Sequence, residues 1–149
     1  AYFEADERTY LKYRELARSL GVLKRITFWG YEEHPELAFR AVDVFVYPSD
    51  YDPFGMVGSE AMASGLPVVL GNSIGVSELV QDGVNGLLCK PQNPDSIQSQ
   101  LNRIRSEPGL GTRIGKAGRE TVIATSWDHN AEEVFKIYSA IHRRRSTSP

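Results

Sequence analysis

Asp52 and Glu60 stand on one segment whose residue types suit the binding of an anion and of a polyhydroxylated group. The segment runs Tyr47-Pro48-Ser49-Asp50-Tyr51-Asp52-Pro53-Phe54-Gly55-Met56-Val57-Gly58-Ser59-Glu60-Ala61-Met62-Ala63-Ser64-Gly65-Leu66-Pro67. Asp52 before Pro53 predicts a helix start, with Asp as N-cap and Pro at the first helical position. Gly65 followed by Pro67 predicts the matching stop. The first turn, Pro53 to Met56, would leave backbone N–H groups unpaired at the positive end of the helix dipole, where anions bind. Gly55 has no side chain to block close approach there.

At helical spacing the neighbours of Glu60 are Met56, Val57, Ala63 and Ser64, a face of small or apolar groups. A carboxylate on a partly buried face is costly unless it is hydrogen-bonded. Sugar hydroxyls are suitable donors, and one carboxylate accepts two adjacent ones. The segment therefore points to a phosphate at the helix start and a polyhydroxylated group about two turns along. Plain structural readings stand beside these. Asp52 could be only a cap, Glu60 could pair with an Arg or Lys elsewhere in the fold, and Tyr47, Tyr51 and Phe54 could be core aromatics. For Tyr47 the core reading is preferred.

The surrounding chain supplies elements to position this segment. Residues 6–20 place Tyr13, Leu16, Ala17 and Leu20 at helical spacing, with Gly21 as the stop. Ile26-Thr27-Phe28-Trp29 is β-rich and ends at Gly30. A short helical stretch over 35–42 precedes the apolar run Val44-Phe45-Val46-Tyr47, stopped by Pro48. Further apolar runs occur at Val68-Val69-Leu70 and Gly86-Leu87-Leu88-Cys89. Unbroken runs of this kind suit strands covered on both faces. Three helices follow: one marked by Ile97, Leu101 and Ile104 with Asn93 or Asp95 as cap around Pro94, one by Leu110, Ile114 and Ala117, and one by Ala131, Val134, Phe135, Tyr138 and Ile141. Alternating strands and helices predict an α/β fold, a Rossmann-like parallel sheet flanked by helices. Ligands of such sheets sit outside the carboxyl ends of the strands. The opening Ala1-Tyr2-Phe3 reads as the tail of a buried strand, and hence of a fragment or processed product.

The composition narrows the function classes. Among 149 residues, 17 Lys and Arg against 19 Asp and Glu give a net charge of −2, which argues against nucleic acid as the main partner. Arg143-Arg144-Arg145 is the one cluster of a single sign; it reads as a solvated helix end, with a membrane-surface or acidic-partner contact as the lesser reading. Cys89 is the sole cysteine, so no intrachain disulfide forms and a reducing, cytoplasmic compartment is expected. There is no G-x-G-x-x-G fingerprint, no phosphate loop and no G-x-S-x-G elbow, and His34, His129 and His142 show no metal spacing.

These residues resemble the group 1, or family 4, retaining glycosyltransferases of the GT-B fold. Their hallmark is two acids with seven residues between them, in a frame like E-x-F-G-x-x-x-x-E-A-M-A-x-G-x-P-V-V. Asp52 to Glu60 has that spacing, with Phe54, Gly55, Ala61-Met62-Ala63, Gly65 and Pro67-Val68-Val69 in place. Ile26 to Tyr31, Ala41 to Ser49, Gly75 to Glu78, Asp82 to Leu88 and Ser126-Trp127 are similar to the flanking family segments. Asp52 stands where the family more often has Glu.

The resemblance implies the C-terminal, nucleotide-sugar-binding half of a GT-B enzyme that moves a hexose to an acceptor, with 1–149 as that domain and 126–149 as its closing helix and tail. Catalytic roles would fall to Asp52 and Glu60. Glu60 would bind the ribose hydroxyls, and backbone N–H groups of Gly55, Met56 and Val57 the diphosphate or sugar. Asp52 and the Phe54 backbone would meet the donor sugar, and Gly30 and Tyr31 would flank the base. The donor would be a UDP-sugar, alternatively a GDP-sugar, with no metal or other cofactor. The family's Gly-rich first loop and the domain that holds a sugar or lipid-linked acceptor would precede Ala1, so that the chain alone would be inactive. A peripheral membrane association would suit a lipid-linked acceptor. The alternatives are a non-catalytic nucleotide-sugar-binding module and, more remotely, an epimerase of the same fold.

Overall fold

A computed structural model of the chain describes residues 7–30, 32–125 and 127–146. Ala1-Tyr2-Phe3, expected to end a strand, lies outside the described residues. The chain divides after Pro35 into two compact units.

In the first unit the helical spacing over 6–20 produces α1 (Glu7–Ser19). Its end is a Schellman motif: Gly21 takes φ +70°, its N–H donates to the Arg18 carbonyl, and the Val22 N–H donates to the Ala17 carbonyl, both at 3.0 Å. A 3₁₀ turn at Leu23–Arg25 follows. The strand expected over 26–29 does not form; the segment is irregular and Ile26, Phe28 and Trp29 are exposed. β-propensity is realised only against a neighbouring strand, and the described part of this unit offers none. Phe28 instead meets Tyr10 of α1 edge-on, ring centroids 5.2 Å apart.

The second unit is built on three short parallel strands, β1 (Phe45–Tyr47), β2 (Val68–Gly71) and β3 (Leu87–Cys89), in the order β1-β2-β3. Phe45 pairs with Val68, and Val69 pairs with Leu87. All four residues of the central strand are buried, as an apolar run without alternation requires. On one face of the sheet Phe45, Tyr47, Val68 and Leu70 pack with Phe39 of α2 (Pro35–Arg40) and with Ala61 and Met62 of α3 (Met56–Ala63). On the other face Val69, Leu87 and Cys89 pack with α4 (Pro94–Ser106) and α5 (Leu110–Ile123), through Ile97, Leu101, Ile104, Leu110 and Ile114. This is the α/β sheet with helices on both faces that the alternation of elements predicts.

Local signals place the helix ends. Asn93 caps α4 by accepting the Ser96 N–H at 3.0 Å, and Pro94 takes the first turn where no N–H is needed. The end of α3 is a second Schellman motif, with the Leu66 N–H donating to the Ala61 carbonyl and the Gly65 N–H to Met62. The last helix, α6 (Trp127–Ser146), forms over the expected span, yet Val134, Phe135, Tyr138 and Ile141 of its apolar stripe remain exposed. No helix among the described residues is long and apolar enough to cross a membrane.

The loop between β1 and α3 is fastened to a 3₁₀ helix at Gly75–Leu79. The Gly75 N–H donates to the Asp52 carbonyl at 3.2 Å and the Val76 N–H to the Phe54 carbonyl. A Cβ on Gly75 would lie 2.3 Å from the Pro53 carbonyl oxygen and 2.8 Å from the Phe54 Cα, so the backbones touch only because Gly75 lacks a side chain. Gly75→Ala should therefore force the two loops apart and lower stability by about 1–3 kcal/mol. Gly30 has nothing within 4 Å of its would-be Cβ, so Gly30→Ala should change stability by no more than about 0.5 kcal/mol. Urea melts of both variants check the contrast; equal midpoints would contradict the close approach.

Candidate functional site

Because the strands are parallel, Tyr47, Gly71 and Cys89 all end at one edge of the sheet, and the loops that follow them share that edge. Asp50 ties these loops together. Its carbonyl accepts from the Ser73 hydroxyl at 3.1 Å, and its carboxylate accepts from the Gln92 side-chain amide. Gln92 takes φ +55°, a conformation uncommon for a residue with a side chain. Neither Asp50 nor Gln92 stands out in the sequence, since they are 42 positions apart and meet only once the sheet has formed.

Asp52 differs from its predicted role as N-cap with Pro53 at the first helical position. The helix starts at Met56, and its N-cap position is Gly55, with φ +80° and ψ 51°. Asp52 instead caps the loop before the helix: its Oδ1 accepts the N–H groups of Phe54 (3.1 Å) and Gly55 (2.6 Å). Asp-Pro suits such a turn as well as a helix start, because Pro53 fixes only its own φ. The bonds from Gly75 and Val76 draw the loop away from the helical path, and the left-handed Gly55 turns it back. Glycine is needed there for its φ; an added Cβ would also lie 3.1 Å from Val76 Cγ1.

Tyr47 is also more than the core aromatic it was expected to be. Its ring packs on the core, but its hydroxyl donates to Asp52 Oδ2 at 2.9 Å. The Tyr47 hydroxyl holds the Asp52 carboxyl below the usual carboxylate range, against partial desolvation and with help from the Gly55 and Phe54 N–H groups. Accepting that bond, Asp52 raises the phenol above its ordinary value, and burial adds to the rise. The pair therefore consists of an ionised acceptor and a protonated donor at neutral pH.

With the N–H groups of Phe54 and Gly55 already engaged, the N–H groups open at the start of α3 are those of Met56 and Val57, which precede any intrahelical acceptor. Gly58 N–H returns to the Gly55 carbonyl at 2.8 Å. Glu60 follows one turn after Met56. It is exposed, in contrast to the partly buried position expected for it. The buried face of α3 is Gly58, Ala61 and Met62; of the residues flanking Glu60, Met56 and Ser64 are exposed, while Val57 and Ala63 are half-buried, Val57 against the core. Among the described residues no ion pair engages its carboxylate.

Glu60 borders a groove of about 630 Å³ lined also by Phe54, Met56, Ser59, Val122 and Trp127. The Ser59 hydroxyl oxygen there is buried and meets no partner among the described residues. Of the residues expected at the base, Gly30 belongs to the first compact unit and Tyr31 lies outside the described residues. Among the described residues no three His, Cys, Asp or Glu side chains gather as metal ligands.

Comparison with known proteins gives this geometry a family. The profile of "Glycosyl transferases group 1" matches residues 6–121. An uncharacterized glycosyltransferase of Methanocaldococcus jannaschii is 38% identical over 136 residues, 89% of this chain and 34% of that protein. Sucrose-phosphate synthase from Thermosynechococcus elongatus superposes with a TM-score of 0.78 at 33% identity, over 89% of this chain and 34% of that one. Anabaena HepE, solved in complex with UDP-glucose, shares the fold with a TM-score of 0.80 at 24% identity, over 93% of this chain and 38% of that one. The chain thus spans about a third of the length of the relatives it matches. Its α/β fold is that of part of a GT-B glycosyltransferase, and the chain belongs to the group 1 glycosyl transferases.

Proposed function

We propose that this chain is the donor-binding part of a retaining glycosyltransferase that moves a hexose from a nucleotide diphosphate sugar to an acceptor. The observation that carries the reading is the pairing, on one short helix, of open first-turn N–H groups with an exposed carboxylate one turn later that no ion pair among the described residues engages. The Met56 and Val57 N–H groups, at the positive end of α3, suit a diphosphate. Glu60 then stands where the ribose of the same ligand would reach it, and accepts its two neighbouring hydroxyls. Asp52, at the loop before the helix, faces the sugar beyond the diphosphate.

The chemistry asked of these groups is electrostatic. As the sugar leaves, negative charge gathers on the diphosphate, and N–H donors fixed by a folded loop stabilise it without reorganising. Holding donor and acceptor in line supplies the remainder. UDP is the preferred nucleotide, with GDP second; HepE, which shares the fold, has been solved with UDP-glucose. The acceptor is assigned to the part of the relatives that this chain does not align with, a sugar or a lipid-linked one held by a separate domain.

Glu60→Gln keeps the shape of the side chain but removes its charge and turns one acceptor into a donor. Hydrogen bonds to charged groups contribute about 1.5–3 kcal/mol each, so the loss of one should weaken UDP binding roughly 10- to 150-fold. Thermal stability should hardly change, since Gln is a comparable helix former. Calorimetry or amide shifts at millimolar UDP measure this, and equal affinity for both proteins would remove Glu60 from the site. The purified 149-residue chain should show no glycosyl transfer from a radiolabelled UDP-sugar to sugar or lipid acceptors. Sustained turnover by the chain alone would contradict the assignment of the acceptor to a separate domain.

A further inference from the structure

The Tyr47–Asp52 pair has a geometry that the loop alone does not need. Asp52 Oδ1, with two backbone N–H groups on it, already closes the turn. Oδ2 takes a third donor, the Tyr47 hydroxyl, at 2.9 Å. An ionised carboxylate offers about four acceptor positions, so the three bonds leave roughly one, on Oδ2. That carboxylate is half-buried and beside the start of α3, where the proposed donor lies. The phenol meanwhile retains lone pairs of its own.

The tyrosine is itself held. Phe39, buried in α2, meets Phe45 edge-on at 5.6 Å, and Phe45 stacks on Tyr47 at 6.2 Å and 28°. Phe45 and Tyr47 share the α3 side of β1, two residues apart as the pleat dictates. This column of three rings leads from the core to the end of the strand and fixes where the hydroxyl stands. Rotation of the Asp52 carboxylate is then limited from both sides, by the turn on Oδ1 and by a core-anchored phenol on Oδ2. The nearby Asp50 does not compete, since its carboxylate is turned to Gln92.

We infer that Tyr47 is a positioning residue for the donor sugar: its hydroxyl sets the direction of the free acceptor position on Asp52 Oδ2 and so determines which sugar hydroxyls are recognised. The inference rests on the donor-site reading above and adds to it a residue outside the acid pair. It predicts a division of labour. The nucleotide and diphosphate are bound by Glu60 and the start of α3, and are indifferent to Tyr47. The sugar is read by Asp52 in an orientation that Tyr47 imposes.

The test compares the 149-residue chain with its Tyr47→Phe, Asp52→Ala and double variants, titrated by NMR with UDP and with UDP-glucose. Tyr47→Phe should leave the affinity for UDP within about twofold and weaken UDP-glucose about tenfold, the loss of one charge-assisted bond. Asp52→Ala should shift the UDP-glucose to UDP ratio in the same direction, and the double variant should shift it no further. A tyrosine with only a packing role would move both ligands together, and an unchanged ratio in Tyr47→Phe overturns the inference. A second measurement needs no ligand: the Asp52 carboxyl should titrate at higher pH in Tyr47→Phe than in the parent chain. An unchanged midpoint shows that the phenol does not hold the carboxylate, and equally overturns it. If the parent chain binds neither UDP nor UDP-glucose, the donor-site reading fails and the sugar role fails with it. The carboxyl titration still reports separately on the pair.

Discussion

The loop from Asp52 to Gly55 is held at both its backbone and its side chain, and the start of α3 depends on that hold. Two backbone bonds from the 3₁₀ helix at Gly75–Leu79 fix its carbonyls, and the Asp52 carboxylate collects two of its N–H groups. Four bonds on four residues leave the chain one way forward, through a left-handed Gly55. The direction of α3, and with it the exposed Glu60 and the open N–H groups of Met56 and Val57, follows from that turn. The turn stands on the sheet below: β2 is buried on all four residues, and each Val or Leu there contributes about 1.5–3 kcal/mol relative to exposure. Surface bonds of the kind made by Asp52 are weaker individually, so the core carries the loop rather than the reverse.

What the sequence disclosed and what it did not divide along the range of the forces involved. The buried strand Val68-Val69-Leu70, the Gly21 and Gly65 helix stops and, of the two caps offered around Pro94, Asn93 all follow from neighbours in the chain, and all formed. The helix that carries Glu60 was legible too, because helical spacing closed by Gly65 and Pro67 follows an apolar run. The start of α3 was misplaced by a few residues because the deciding contacts come from Gly75 and Val76, which Asp52 and Phe54 meet only in the folded state. Asp-Pro is compatible with two turn geometries, and nothing local chooses between them.

The remaining departures have the same origin. Ile26 to Trp29 has the composition of a strand, but a strand needs a partner edge, and a sequence segment does not reveal whether one is beside it. Glu60 was expected to be half-buried because small residues surround it at helical spacing; the core in fact takes the face with Gly58, Ala61 and Met62. Tyr47 was read by its position in an apolar run. The strand does half-bury its ring, but the strand ends there, so the hydroxyl emerges at the carboxyl end of the sheet and finds Asp52. An aromatic with a polar tip at the carboxyl end of a strand is the signal that could have revealed it.

The electrostatics of the two acids differ in a way that matches the two parts proposed for the ligand. Three of the roughly four acceptor positions on Asp52 are taken by donors of the protein, which lower its carboxyl below the usual range and fix its orientation before anything binds. Its affinity for a further hydroxyl is modest, since most of its acceptor capacity is used, but its geometry is strict. Glu60 is the opposite case: exposed, in no ion pair among the described residues, and able to reorient on its helical turn. Such a group loses side-chain entropy when a ligand orders it, on the order of 0.5–1.5 kcal/mol, yet it brings its full set of lone pairs to the encounter. A ribose with two adjacent hydroxyls offers both donors to one carboxylate and so can offset that loss. A sugar that must be told from its epimers calls for an acceptor that cannot turn to follow the wrong hydroxyl. The restrained acid is therefore suited to discrimination and the free acid to affinity, and the tyrosine hydroxyl contributes to that difference.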